Sequence, residues 1–413
     1  MPLIVVCGAL ANKAGNGGAA WTRLSWALGL ERLACDVYFL EQIAADTCQD
    51  ASGARCDLDG STNLAYFKQV TERFGLARRS ALILESDRTS VGLGWNDLEH
   101  LADAADLLVN ISGHLTLDLL KPRFRKRAFI DLDPGYTQFW HAAGMAVDRL
   151  RDHHFHFTIA ENIGRFDCGI PIGDIAWRSI RQPVLLDEWP AVRDRPSPDA
   201  SMLTGDAAPG EEWITKDDHS AGPTRFTTVA SWRGPYGRAT HSGRQFGLKA
   251  HEFRKFLPLP TLSDHTFEIA LDVHPADWQD VESLLSHHWR LADPHEVAAD
   301  PIAFRRYVQA SSAEFSVAQG VYVETRSGWF SDRTVRYLAS GKPALVQDTG
   351  FSRNYPVGCG LVPFSTLEEA ARGAERISRD YAAHSRAARA LAETFFDSDK
   401  VLRTLLQTVE ISV

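Results

Sequence analysis

Two series of alternating strand-like and helix-like segments, separated by a proline-punctuated join, constrain this chain more than any other feature. In the first series, short apolar runs predict strands at residues 2–7, 35–40, 80–84, 106–112, 127–132 and 156–160. Helical patterns at 19–33, 65–74 and 97–105 lie between them. The second series predicts strands at 227–232, 267–271, 289–292, 314–318, 344–346 and 360–363. Its helices fall at 248–257, 278–287, 301–310, from near 331, at 367–391 and at 398–409. Apolar runs this short are strands buried on both faces, and strands that alternate with helices are joined by crossovers into parallel sheets. The fold class is therefore α/β, with two Rossmann-like halves of similar size. The expected divisions are an N-terminal domain over 1–190, a linker over 191–224, a C-terminal domain over 225–396 and a final helix over 397–413. Pro196, Pro198, Pro209 and Pro223 punctuate the linker. Several strand ends are followed by Gly, Asn, His or Asp, which predicts a ligand crevice at the carboxyl edge of the sheet.

The 413 residues carry a net charge of -9, which argues against broad nucleic-acid binding through a basic surface. Cys7, Cys35, Cys48, Cys56, Cys168 and Cys359 are scattered without CxxC spacing, so reduced thiols of a cytoplasmic protein are expected, with no disulfide frame and no zinc site. The chain opens on an apolar run with no charged leader, and no apolar stretch is long enough to span a bilayer. Neither GxGxxG nor P-loop spacing occurs, which counts against a dinucleotide oxidoreductase.

Residues 321–350 hold the densest chemistry. They read as the end of a strand, a turn at Ser327-Gly328, a helix beginning near Ser331 and a further strand. Ser331 and Asp332 suit the first turn of a helix, and Gly341 and Pro343 stop it. Glu324 precedes the turn, and Asp332 follows with seven residues between them. A helix N-terminus offers unpaired N–H groups and partial positive charge to a phosphate, while flanking carboxylates accept hydrogen bonds from sugar hydroxyls. Gly328 allows close backbone approach. The same residues also read as a plain capped helix, with Glu324 paired to Arg326 or Arg333.

Two such halves, with an acid pair before and inside a helix of the second, resemble the GT-B glycosyltransferases. The likeness is strongest over 311–350 and continuous over 226–396. It implies two Rossmann-like domains facing a central cleft, with the nucleotide sugar on the C-terminal domain and the acceptor mostly on the first. In the retaining branch a glutamate, seven residues and a second glutamate mark the donor site. Glu324 matches the first position, and Asp332 takes the second one methylene short. Ser340-Gly341-Lys342-Pro343 matches the family's step out of that helix. The resemblance implies that Glu324 meets the donor sugar and Asp332 the ribose. Ser327, Gly328, Trp329, Phe330, Ser331 and Arg333 would line the helix tip. Arg233 and Lys249 would hold the diphosphate, and Gly17 and Gly18 would face it from the first domain. The final helix would pack back on that domain.

Each of these residues also has a plainer reading. Arg233 and Lys249 read equally as solvated cations, and Gly17-Gly18 as an ordinary strand–helix turn. His114, at a strand end, is either a site histidine near the sugar or a loop-binding one. Asp131-x-Asp133 imitates a metal motif, but Asp133 fits the acceptor side of the cleft better. His153, His154 and His156 read as a helix end, since no second cluster completes a metal site. The expected function is a cytoplasmic, metal-independent glycosyltransferase of hexosyltransferase type. It would use a UDP-, GDP- or TDP-linked sugar, need no further cofactor and react with retention if the acid pair acts as in the retaining branch. If it inverts, His114 or Asp133 is the first candidate for the base. The alternatives are a nucleotide-sugar epimerase or hydrolase of the same fold, a dinucleotide oxidoreductase and a binding module. The expected acceptor is a small molecule.

Overall fold

The computed structural model describes residues 1–85, 88–145, 147–191, 224–234 and 236–412. The first half forms an eight-stranded sheet from β1 (Leu3–Cys7), β2 (Asp36–Ile43), β3 (Ser80–Leu84), β4 (Ser90–Gly92), β5 (Leu107–Ile111), β6 (Arg127–Asp131), β7 (Phe155–Thr158) and β8 (Trp177–Ser179). Their order is β4-β3-β2-β1-β5-β6-β7-β8, and every pairing is parallel except β3 with β4. The second half contains β9 (Arg225–Ser231), a two-stranded hairpin of β10 (Thr240–His241) and β11 (Arg244–Gln245), then β12 (Thr266–Asp272), β13 (Arg290–Ala292), β14 (Ala313–Ser316), β15 (Ala344–Gln347) and β16 (Leu361–Phe364). Its sheet is parallel throughout, in the order β13-β12-β9-β14-β15-β16. The observed architecture is the expected α/β pair of parallel sheets. Most of the linker, residues 192–223, lies outside the described residues.

Eight helices matter for the site. They are α1 (Gly17–Arg32), α2 (Tyr136–Ala142), α3 (Lys249–Phe253), α4 (Pro301–Ala310), α5 (Gly320–Glu324), α6 (Asp332–Ala339), α7 (Tyr381–Phe395) and α8 (Ser398–Thr408). Helix α1 ties the halves together. Its Trp21 is fully buried and donates its indole N–H to the Pro301 carbonyl at 2.7 Å. Trp21 also meets Trp189 edge-on at 5.3 Å. One continuous apolar cluster runs from Trp21 and Leu30 of the first half through Phe304, Phe330 and Tyr337 of the second. On the other side of α1, Leu402 and Ser398 of α8 crowd Gly29 so closely that a Cβ there would lie 2.5 Å from Leu402 Cδ1.

Two local expectations need correction, and two strands were not expected. Residues 321–324 do not end a strand; they form the short helix α5. Strand β14 already has β9 and β15 on its two edges, so no ladder position remains for them. Val321 and Tyr322 are both buried in the short helix. Tertiary packing has overridden the β propensity of Val-Tyr-Val. The helix predicted over 367–391 is broken at Asp380, which leaves the helical region (φ -133°, ψ 55°) and caps α7 by accepting from the Ala383 N–H. The edge strands β4 and β8 have three residues each and carry little periodic signal.

Candidate active site

The carboxyl ends of the two sheets face each other across the cleft, and the side chains that meet there come from both. From the C-terminal half comes Lys249, at the start of α3. Among the described residues its ammonium has no hydrogen bond and no ion pair. Burial, reinforced by the Arg333 charge, lowers its pKa from 10.5 to about 7, while Glu314 and Asp332 pull the other way. From the N-terminal half come Lys13, in the loop after β1, and Arg23 of α1. Arg23 is 6% exposed; it gives one N–H to the Ala19 carbonyl and leaves Nε without a partner. Burial pulls both groups below their usual pKa, and among the described residues no ion pair within 4.0 Å compensates either. Glu41 fixes the loop that bears Lys13 by accepting the N–H groups of Leu10, Ala11 and Asn12 at 2.8, 2.6 and 2.8 Å.

Asp133 faces Lys13 and Arg23. It follows β6 and accepts hydrogen bonds from Tyr236 (3.1 Å) and Tyr322 (3.4 Å) of the other half. Burial raises its pKa, and Lys13, the Tyr236 hydroxyl and Arg23 oppose that rise. Asp131 is spent differently. It accepts from Thr137, Gln138, Thr158 and the Asp133 N–H, so it serves as a buried bracket for the loop. Among the described residues no three acidic, histidine or cysteine side chains come together as metal ligands. His114 follows β5. Burial first, then Arg23, Arg149 and Lys13, push its pKa down to about 3, so it is a neutral imidazole at pH 7 and a weak proton acceptor.

The other expected site residues are placed as follows. Asp332 lies at the tip of α6, but it accepts from the Thr22 hydroxyl (2.7 Å) and from Arg336 (2.8 Å). Burial raises its pKa, yet Arg336, Thr22, Arg333 and Arg23 outweigh this and keep it ionised. Glu324 is held by Arg244 of the hairpin at 2.6 Å. Among the described residues the acid pair therefore has no common partner: Asp332 is fixed to α1 and Glu324 to the hairpin. Arg333 is not free for a diphosphate, because its guanidinium is used on Glu314 (2.7 Å), the Val229 carbonyl (2.6 Å) and Ser316 (2.7 Å). Arg233 forms a two-pronged ion pair with Asp277 (2.6 and 3.0 Å). Gly17 packs against the second half, and its N–H donates to the Ala298 carbonyl at 2.7 Å. Gly18 lies against the Phe304 ring.

Around the turn, Ser327 is fully buried and accepts the Trp329 N–H, and Trp329 stacks on Tyr322 at 4.3 Å. Phe330 belongs to the core, stacked on Phe396 at 5.2 Å. Ser331 caps α6 by accepting the Arg333 N–H at 3.2 Å. Gly328 approaches Asn162 of the first half: its φ is +74°, and a Cβ would fall 2.8 Å from Asn162 Cγ. Gly328→Ala is therefore expected to cost about 1–3 kcal/mol, from left-handed strain and the clash, seen as a lower urea midpoint with an unchanged slope.

The sequence reading missed Lys13, Arg23, Tyr236 and Tyr322. Lys13 and Arg23 flank Gly17-Gly18 at short range, so the small-residue loop was the signal for them. The tyrosines gave none, because the fold alone brings the hairpin and α5 to Asp133. The hairpin reaches across the cleft: Tyr136 of α2 donates to the Gly237 carbonyl (3.1 Å), and His241 stacks on Phe139 at 4.7 Å.

The architecture has counterparts among solved structures. HepE from Anabaena, solved with UDP and glucose, superposes with a TM-score of 0.57 at 13% identity over 99% of this chain and 100% of that one. The chain has the GT-B fold. Sucrose-phosphate synthase from Thermosynechococcus elongatus shares it at a TM-score of 0.52 and 10% identity, over 99% of this chain and 98% of that one. An alpha-glucosyltransferase solved with UDP and a 13-mer DNA containing an HMU base shares it at 0.58 and 10%, over 99% of each chain. No protein-family model and no curated protein matches the sequence. Within the GT-B fold, the crevice at the carboxyl ends of the strands is here the place where Lys13, Arg23, Asp133, Asp332 and Lys249 gather. No helix among the described residues is long and apolar enough to cross a membrane.

Proposed function

We propose that this protein is a glycosyltransferase of hexosyltransferase type, which takes its sugar from a nucleoside diphosphate, with UDP as the first candidate. The observation that carries the reading is the set of three buried or half-buried cations, Lys249, Lys13 and Arg23, that converge on the GT-B cleft without ion-pair partners among the described residues. Uncompensated charge of this kind is expensive to bury, and a dianionic ligand removes the cost. The tip of α6 adds its partial positive charge from the same side. With these groups meeting the leaving diphosphate, the reading requires no resident metal ion.

In the proposed step the bond between the anomeric carbon and the diphosphate oxygen breaks, and the oxygen keeps the electron pair. The new bond forms to an acceptor hydroxyl, whose proton passes to Asp133. Of the two candidate bases, Asp133 is the one whose environment raises its basicity, whereas that of His114 lowers it. Glu324 meets the donor sugar in this reading only after Arg244 releases it.

The test follows from the pKa of Lys249. Below about 7 the amine is charged in the free protein; above it the charge is lost. Sugar-diphosphate binding that requires the ammonium takes up a proton above that pH. The Kd for UDP-glucose, whose phosphoryl groups do not titrate near neutrality, is thus expected to rise about tenfold per pH unit above about 7. Calorimetric titrations in buffers of different ionisation enthalpy should show the proton uptake. A Kd that stays flat to pH 9 would remove Lys249 from the site.

A further inference from the structure

On the N-terminal side of His114 the crevice widens into a cavity of about 550 Å³. Its walls are the carboxyl ends of four strands of one sheet: Asn12 follows β1, Gln42 and Ile43 end β2, Glu85 follows β3, and His114 and Thr116 follow β5. Of its fourteen lining residues only Ile43, Ala44 and Met145 have apolar side chains, and none is Phe, Tyr or Trp. Pockets that take lipids or flat aglycones are mostly apolar and aromatic, and this one is the reverse.

The wall is also preset. Gln42 donates to Glu85 (2.8 Å) and Thr116 (2.7 Å), while its carbonyl oxygen accepts the N–H groups of Thr116 (2.8 Å) and Leu117 (3.2 Å). With Gln42 saturated, the groups left unpartnered among the described residues are the Asn12 amide, the His114 imidazole, the Arg149 guanidinium and the second oxygen of Glu85. The lining thus offers both donors and acceptors, and a hydroxyl can pair with either. The charge balance excludes a polyanion: Glu85, Asp118 and Asp148 face Arg149 and Arg151, and Arg151 is already engaged by Asp118 (3.5 Å), Asp148 (3.7 Å) and Asp152 (3.1 Å). Among the described residues a nucleic-acid backbone finds a single free cation there, Arg149.

We infer that this cavity is the acceptor site and that the acceptor is an uncharged, hydroxyl-rich molecule of carbohydrate type, presented to the donor past His114. The inference rests on the glycosyltransferase reading, and the test separates the two. Saturation-transfer NMR on the full chain reads UDP, methyl α-glucoside, maltotriose, 4-methylumbelliferone and a hydroxymethylated DNA oligonucleotide independently of turnover. The saccharides are expected to show transfer. Ala44→Trp, which fills the cavity, should abolish their signal. Glu85→Ala, at an exposed position, should weaken it about tenfold. Both variants should leave the UDP signal unchanged. Saccharide signal with no UDP signal would overturn the donor reading and support the cavity assignment. A saccharide signal that survives both variants, or binding of only the aromatic or DNA probe, would overturn the inference while the UDP signal upholds the donor reading.

Discussion

Lys249→Met is expected to weaken binding of a nucleoside-diphosphate sugar about 100-fold and, in the same protein, to raise the melting midpoint by about 2–4 °C. The two effects have one cause. In the free protein the ammonium is half-buried next to Arg333, whose own charge is already matched by Glu314 at 2.7 Å. Among the described residues it forms no ion pair, and Glu314 and Asp332 offset its burial only in part, so removing the charge relieves the fold. The sign with pH follows. The pKa is about 7 folded, against 10.5 unperturbed. The penalty is therefore fully present below about 7 and fades as pH rises toward 10.5. The thermal gain of the variant should be largest near and below neutrality and disappear in strong alkali. With the diphosphate bound, the order reverses and the wild type becomes the more stable protein. A purely structural lysine would give neither the reversal nor the loss of affinity. Differential scanning fluorimetry with and without UDP, across pH, reads both.

Asp133→Asn is expected to lower kcat by about 10²–10³-fold while the Kd of the donor changes by less than about threefold. The amide keeps an oxygen for Tyr236 and Tyr322, so the geometry holds and only the proton acceptor is lost. Tyr236→Phe separates positioning from chemistry. It removes the 3.1 Å hydrogen bond and leaves the carboxylate, so it should cost about tenfold in kcat and shift the acid limb of the pH–rate profile. If Asp133→Asn turned over at the wild-type rate, the base would lie elsewhere.

The alternation of strands and helices was legible because parallel strands buried on both faces are apolar along their whole length. The expected range 80–84 coincides with β3, and 301–310 with α4. The segment 321–324 was not legible, since Val-Tyr-Val looks the same in a strand as in a turn of helix, and only the filled edges of β14 decide. At the site, residue types were easier to read than partners. Lys249 is placed where a cation is useful. Arg333, two residues after the Ser331 cap, looks equally useful until Glu314, Val229 and Ser316 are seen to occupy it. Glu324 and Asp332 share a spacing in the chain but not an environment, because Arg244 and Thr22 arrive from segments 80 and 310 residues away. The hairpin that carries Arg244 and the loop that bears Tyr236 have no periodicity, so nothing in their sequence showed that they cross the cleft.

A crystal soaked with UDP-glucose gives the most direct test. The two phosphates should lie between Lys249 on one side and Lys13 and Arg23 on the other, within hydrogen-bond distance of at least Lys249 and one of the N-terminal cations. Density for the nucleotide outside that cluster, with the three cations still unliganded, would contradict the assignment of this cleft as a sugar-diphosphate site.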